Sequence, residues 1–156
     1  MFQFLLSLYF GLSEILTCGS ENCLIVSLVN KFVNFTSDEI YQVQDFVKSL
    51  NSAHDSIIVV EGKRDEEALG KLGFSGKICQ FHSFKGLIKF ADSMPKYKKL
   101  IVLLDSDPKG RYLTKRIISQ LQHRMTIDLS YRKRLTVITK GRIKNVEDLS
   151  VYAFEI

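Results

Sequence analysis

Two apolar runs, each ending in acid, constrain this chain more than any other feature. Ile57, Ile58, Val59 and Val60 run without a break into Glu61, Gly62, Lys63 and Asp65. Leu100–Leu104 runs in the same way into Asp105 and Asp107, followed by Pro108 and Gly110. Runs with no polar face suit strands covered on both sides of a parallel sheet. The first charges then mark where the chain leaves the sheet, at the carboxyl edge where open α/β sheets bind ligands. Gly62 permits a tight turn at that edge, and Asp65 falls in the first turn of the helix that follows. Pro108 opens a second helix, and Gly110 allows close backbone packing beside the acids.

Residues two apart in extended chain face the same way, so Asp105 and Asp107 can converge on one point. Two carboxylates this close are costly unless a positive charge neutralises them. Mg²⁺, with Mn²⁺ as a substitute, fits that requirement, because it takes hard oxygen ligands and meets substrate phosphate. Glu61 has two open roles, metal ligand or mover of protons, since its pKa depends on how the site is loaded. The bland alternative is a set of solvated acids at strand ends.

Charge is segregated along the chain. Between Lys109 and Lys144 there are eleven Lys/Arg residues and one acid, Asp128, a net of +10 in a chain whose total is +5. The remainder therefore carries −5. The basic half suits a polyanionic partner, RNA or DNA, better than a small molecule. Lys115, Arg116, Arg132, Lys133, Arg134, Lys140, Arg142 and Lys144 are the candidate phosphate contacts, with a solvated helix face as the alternative for Arg132–Arg134. Arg111 stands beside the Asp pair as a supporting residue. Lys63 either meets phosphate and balances the acids or is a surface lysine. Tyr112 and Tyr131 are candidates for base stacking but suit packing better. His54, His82 and His123 show no metal-ligand spacing; His82 follows an expected strand and has a place near the pocket as an alternative, but structural or surface roles suit all three better.

The order of elements follows from periodicity and turn chemistry. Residues 1–36 hold apolar stretches interrupted by Glu14 and Glu21, too short for a membrane span. They read as an extension of open role: a helix, an added strand or an upstream start. Thr36 or Ser37 opens a helix whose apolar face is Ile40, Val43, Phe46, Val47 and Leu50. Further helices are expected at Asp65–Leu72, Phe84–Ala91 with Ser83 as its cap, Pro108–His123 and Val146–Phe154. Strands are expected at Ile57–Val60, Lys77–Gln80, Leu100–Leu104 and Met125–Leu129. Strand and helix alternate, which argues for an α/β sandwich with a mainly parallel central sheet. The expected organisation is an extension at 1–36, an α/β core at 37–130, and at 131–156 a basic segment and terminal helix packed on that core. The cysteines Cys18, Cys23 and Cys79 form no disulfide framework or zinc pattern, which points to a cytoplasmic protein. No Walker loop or dinucleotide glycine signature is present, so ATPase and dehydrogenase chemistry is disfavoured.

The stretches VVEGKRD at Val59–Asp65 and LLDSDPKG at Leu103–Gly110 resemble the Toprim domain. That fold is shared by topoisomerases, bacterial primases, OLD-family nucleases and small nucleases that mature ribosomal RNA. Its pattern is a glutamate after one strand and Asp-x-Asp after a later one, matched by Glu61, Asp105, Asp107 and Gly110. The chain most resembles the small stand-alone Toprim proteins of archaea, from about Asp38 to Ile156. The resemblance implies a Mg²⁺ site on the Asp pair and acid/base or metal work for Glu61. It makes a Mg²⁺-dependent phosphoryl-transfer enzyme on nucleic acid, a nuclease, the leading expectation. The alternatives are a non-catalytic nucleic-acid-binding or complex-forming module that needs a protein partner, and an enzyme of small phosphoesters or nucleotides.

Overall fold

The computed structural model describes residues 35–94 and 97–154. Residues 1–34, including Cys18 and Cys23, lie outside the described residues, and with them the expectations for the N-terminal extension.

Helix α1, Ser37–Asn51, opens where expected: the Thr36 hydroxyl accepts the Glu39 amide at 3.2 Å, and Asp38 and Glu39 occupy the first turn. Strand β1 is Ser56–Val60, helix α2 Lys63–Lys71 and strand β2 Ile78–Gln80. A 3₁₀ turn at Phe81–Ser83 leads to α3, Leu87–Ser93. Strand β3 is Lys99–Val102, α4 Pro108–Leu121, β4 Thr126–Asp128 and α5 Ser130–Ile138. The described chain ends in a second 3₁₀ segment, Val146–Phe154.

The four strands form one sheet, all parallel, in the order β2-β1-β3-β4. The architecture is thus the α/β sandwich expected, with the two acid-tipped strands adjacent at its centre. Ile57 pairs with Leu100 and Val59 with Val102. The Leu103 amide still bonds the Val59 carbonyl at 2.9 Å, so pairing continues one step past β3. Leu103 and Leu104 stay buried, although sheet geometry stops at Val102. From β1 the chain moves outward to β2, then crosses back to the other side of β1 as β3. The carboxyl ends of β1 and β3 therefore flank a topological switch point.

Both faces of the sheet are covered, which explains why its central strands lack a polar face. Ile57, Val59, Leu100, Val102 and Leu104 pack in one cluster with Phe90, Ala91 and Met94 from α3 and its end, and Ile117 and Leu121 from α4. The alternate residues Ile58, Val60, Ile101 and Leu103 face the opposite side and are also buried. There α5 lies against β3 and α1, while α2 packs along the C-terminal 3₁₀ segment.

Two expectations need correction. The helix expected at Phe84–Ala91 begins only at Leu87, because Gly86 sits at φ +101°, outside the helical region. Ser83 does not cap it: its hydroxyl donates to the Gln80 carbonyl at 2.7 Å. The terminal segment coils as 3₁₀ rather than α. A 3₁₀ coil rises about 2.0 Å per residue against about 1.5 Å for an α-helix, so the same residues reach further. That reach joins Val146, at the acids, to Tyr152, whose hydroxyl donates to the buried Glu39 carboxylate of α1. Among the described residues no helix is long and apolar enough to cross a membrane.

Candidate functional site

The site is built on loops that leave β1 and β3. Glu61 follows β1 directly and is 8 % exposed. Its Oε1 is buried without a hydrogen-bond partner. Its Oε2 lies 3.5 Å from Lys109 Nζ and 3.9 Å from His82 Nε2. Burial, and then the neighbouring charge of Asp105 and Asp107, hold its carboxyl above the usual range, with Lys109 and His82 pulling the other way. Such a group takes up a proton or a cation readily.

Gly110 makes room for this arrangement. A Cβ there would stand 2.2 Å from the Asp105 carbonyl oxygen and 3.0 Å from Glu61 Oε1. The first contact is with backbone, which has little freedom to give. Gly110 is needed for space.

Each aspartate has one oxygen bound to a backbone amide. Asp107 is the N-cap of α4, and its Oδ1 accepts the Gly110 amide at 2.6 Å. Asp105 Oδ1 accepts the Val146 amide at 2.9 Å, from the start of the terminal 3₁₀ segment. Asp65, 6 % exposed, accepts the Gly62 amide at 2.9 Å. Burial raises the Asp65 pKa above the ordinary carboxylate value; the Gly62 hydrogen bond opposes the shift and Asp105 adds to it. The acids are thus arranged by helix starts and by a returning piece of chain.

The structure brings Glu61, Asp65, Asp105 and Asp107 to one edge. Among the described residues, no three Asp, Glu, His or Cys side chains form a ready-made metal cage. The donor chemistry nevertheless fits Mg²⁺, which takes one or two carboxylates, keeps several waters and does not need a cage. The unpartnered Glu61 Oε1 is the oxygen with most to gain from a cation.

The basic residues divide into distinct environments. Arg132 lies inward: its Nη2 donates to Ser106 Oγ at 2.6 Å and to the Lys144 carbonyl, while Nε and Nη1 are buried without partners. Arg134 donates to Asp45 at 2.6 Å and Ser49 at 2.8 Å, tying α5 to α1. Arg142 pairs with the buried Glu39. Lys133, Lys140, Lys144, Lys115 and Arg116 are exposed. Arg116 rests against the Tyr112 ring, and Tyr131 packs edge-on to Phe46. Lys63 is exposed and pairs with Glu67 one turn along α2. Arg111 donates to the Ser106 carbonyl at 2.6 Å and, with Lys144 and Thr136, lines a groove of about 440 Å³ beside Asp107.

Lys109 is an addition that motif reading missed, and His82 takes the place near the pocket that its position after a strand had offered as an alternative. Both follow from topology: β2 lies beside β1, so the residue after β2 reaches the Glu61 edge, and the His82 amide bonds the Glu61 carbonyl at 2.9 Å. Position after a neighbouring strand was the only available signal for His82. Lys109 lies in the first turn of a helix that starts at the acids.

No family model matches the chain. It is 36% identical over 96 residues to a UPF0292 protein of Thermococcus sibiricus, covering 61% of this chain and 75% of that protein. A UPF0292 protein of Pyrococcus abyssi is 33% identical over 112 residues, covering 71% and 84% respectively. One of Methanocaldococcus jannaschii is 34% identical over 103 residues, covering 64% and 80%. Among solved structures, a protein from Aquifex aeolicus superposes with a TM-score of 0.57 at 25% identity, over 67% of this chain and 94% of that one. The likeness to the archaeal sequences spans most of their length, and the chain belongs to the UPF0292 family.

Proposed function

We propose that this protein is a Mg²⁺-dependent enzyme of the Toprim type that cleaves phosphodiesters in nucleic acid. One observation carries the reading: Glu61, with a buried unpartnered oxygen, stands at the switch point of a parallel sheet beside Asp105 and Asp107. The motifs that resemble Toprim domains supply those same residues.

Glu61, Asp105 and Asp107 would hold the ion, each aspartate through the oxygen not bound to an amide. When bound, Mg²⁺ supplies charge stabilisation at the phosphoryl group and a more acidic water. Glu61 is suited to hold or move a proton at Oε2, where Lys109 and His82 stand ready to stabilise its charged form. Lys109 and Arg111, exposed at the start of α4, are placed to meet phosphate oxygens on either side of the reacting group. Lys133, Lys140 and Lys144 supply diffuse, salt-sensitive attraction for a longer strand.

The test is a cleavage screen of the purified full chain against structured RNA, single strands and duplex DNA, with Mg²⁺, Mn²⁺ or EDTA. Divalent-dependent cleavage lost in Glu61→Gln supports the reading. Binding without cleavage on any substrate would overturn it in favour of a non-catalytic nucleic-acid-binding module. One observation favours that second reading: both aspartates already serve backbone amides, so their order does not depend on catalysis.

A further inference from the structure

Arg132 occupies an unusual position for a member of a basic surface cluster. It belongs to α5, between exposed Lys133 and the residues that pack on α1, yet its side chain reaches the loop between the two aspartates. The hydrogen bonds from Nη2 go to neutral acceptors, Ser106 Oγ and the Lys144 carbonyl. Nε and Nη1 have no partner and no access to water. Burial lowers its pKa, while the charges of Asp105 and then Asp65 raise it again. A guanidinium left with two unsatisfied buried donors is costly, unless its charge is needed where it lies.

The neighbouring anions show what needs it. Asp105 accepts the amide of Val146, and Arg132 binds the carbonyl of Lys144, two residues earlier. The Ser106 amide also donates to that carbonyl, at 2.9 Å. The short stretch Lys144–Val146 is thus held by one carboxylate and one guanidinium, and its amide does not neutralise the carboxylate. We propose that Arg132 is the resident counter-cation of the acid edge, which keeps Asp105 in place without a divalent ion and weakens the site's attraction for one. The second half of that statement rests on the metal reading above; the first half does not.

The experiment is a stability cycle on the full chain in EDTA, followed by Mn²⁺ titration. Urea unfolding compares the wild type with Arg132→Gln, Asp105→Asn and the double variant. Asparagine can still accept the Val146 amide, so the cycle isolates charge. Arg132→Gln is expected to lower the unfolding midpoint, and adding Asp105→Asn to restore at least half the loss. Arg132→Lys, which keeps the charge, should stay closer to the wild type. Additive effects would overturn the counter-cation role. If Arg132→Gln does not fold, recovery of folding in the double variant supports the role and continued failure overturns it. Mn²⁺ affinity, read by electron paramagnetic resonance at low salt, should then rise roughly tenfold in folded Arg132→Gln, the scale expected for removing one nearby charge. Unchanged or weaker affinity overturns the second half. If neither protein binds Mn²⁺ at millimolar concentration, the metal reading and the second half fall together, and the EDTA cycle alone decides the first half.

Discussion

The acid edge and the basic stretch carry opposite charge, but they differ more in how each charge is held. Glu61, Asp65 and Asp107 are fixed by their own neighbourhoods in sequence, a strand end, a first turn and a helix cap, and only Asp105 reaches a distant amide, that of Val146. The arginines at 132, 134 and 142 are fixed by residues far away, on Ser106, Asp45 and Glu39. Lysines in the same stretch meet solvent. A run of like charges is therefore not one functional unit. Three of its arginines, 132, 134 and 142, use their planar forks to bind the fold together, while Lys133, Lys140 and Lys144 are left to the surface.

The strongest way to break this comparison is through catalysis. Asp105→Asn with Asp107→Asn should lower single-turnover cleavage at saturating substrate by about a thousandfold. Nucleic-acid affinity should stay within about threefold, because the proposed diffuse attraction would come from the other region. Equal losses of both would show that the two regions act as one.

Gly110→Ala tests the packing of the acid edge without touching a charge. It should cost about 3 kcal/mol or more in urea unfolding, since the new Cβ meets backbone. Gly70→Ala in α2, with nothing within 4 Å of its Cβ, should be neutral or stabilise by up to about 1 kcal/mol. Arg142→Met tests the basic side. It leaves Glu39 and Tyr152 sharing a buried site without the cation, and should cost about 2 kcal/mol while leaving cleavage per folded molecule unchanged.

pH separates two carboxylates of opposite sign. The Glu61 pKa is raised in the fold, so its contribution to stability is complete below the unfolded value and is lost as pH rises through the folded one. Glu61→Gln should therefore stabilise the metal-free protein by about 1 kcal/mol near neutral pH, with no gain in acid. Asp128 is the reverse. Burial opposes its ionisation, but hydrogen bonds from Lys99, at 2.6 Å, and Ser130 outweigh it and lower its pKa. Its stabilisation is present above the unfolded value and disappears as pH falls through the folded one. Asp128→Asn should thus destabilise at neutral pH and be silent in strong acid. Thermal melts across pH check both signs.

The smallest expected effect on the fold comes from Lys133, Lys140 and Lys144 changed together to Gln. Stability should move by no more than about 0.5 kcal/mol. The salt dependence of nucleic-acid binding should flatten by roughly 0.7–0.9 per lost phosphate contact. An unchanged slope would remove these lysines from the interface.

The sheet was legible because its signal is local. Ile57–Val60 and Leu100–Leu104 could be read as central strands from composition alone, since only double-sided burial tolerates such runs. The helix starts at Thr36–Ser37 and at Pro108 were equally plain, because a helix opening is a matter of three or four residues. Arg132 and Arg134, two positions apart on one helix, looked alike; what separates them is a serine 26 residues away and an aspartate 89 residues away. His82 could be placed near the pocket only as an alternative, because its position beside Glu61 depends on β2 joining the sheet next to β1. Residues 146–154 carried a helical pattern, yet their coil is set by anchors at both ends, Asp105 and Glu39.

The bond from the Val146 amide to Asp105 has a spectroscopic consequence. An amide proton donated to a carboxylate is deshielded in proportion to the charge it faces, so the Val146 resonance acts as a voltmeter wired into the acid edge. Anything that neutralises Asp105, whether proton, ion or substitution, would move that single peak upfield. At fixed neutral pH the Ser130 amide, bonded to Asp128 at 2.8 Å, offers an internal reference for ion binding or substitution at the acid edge.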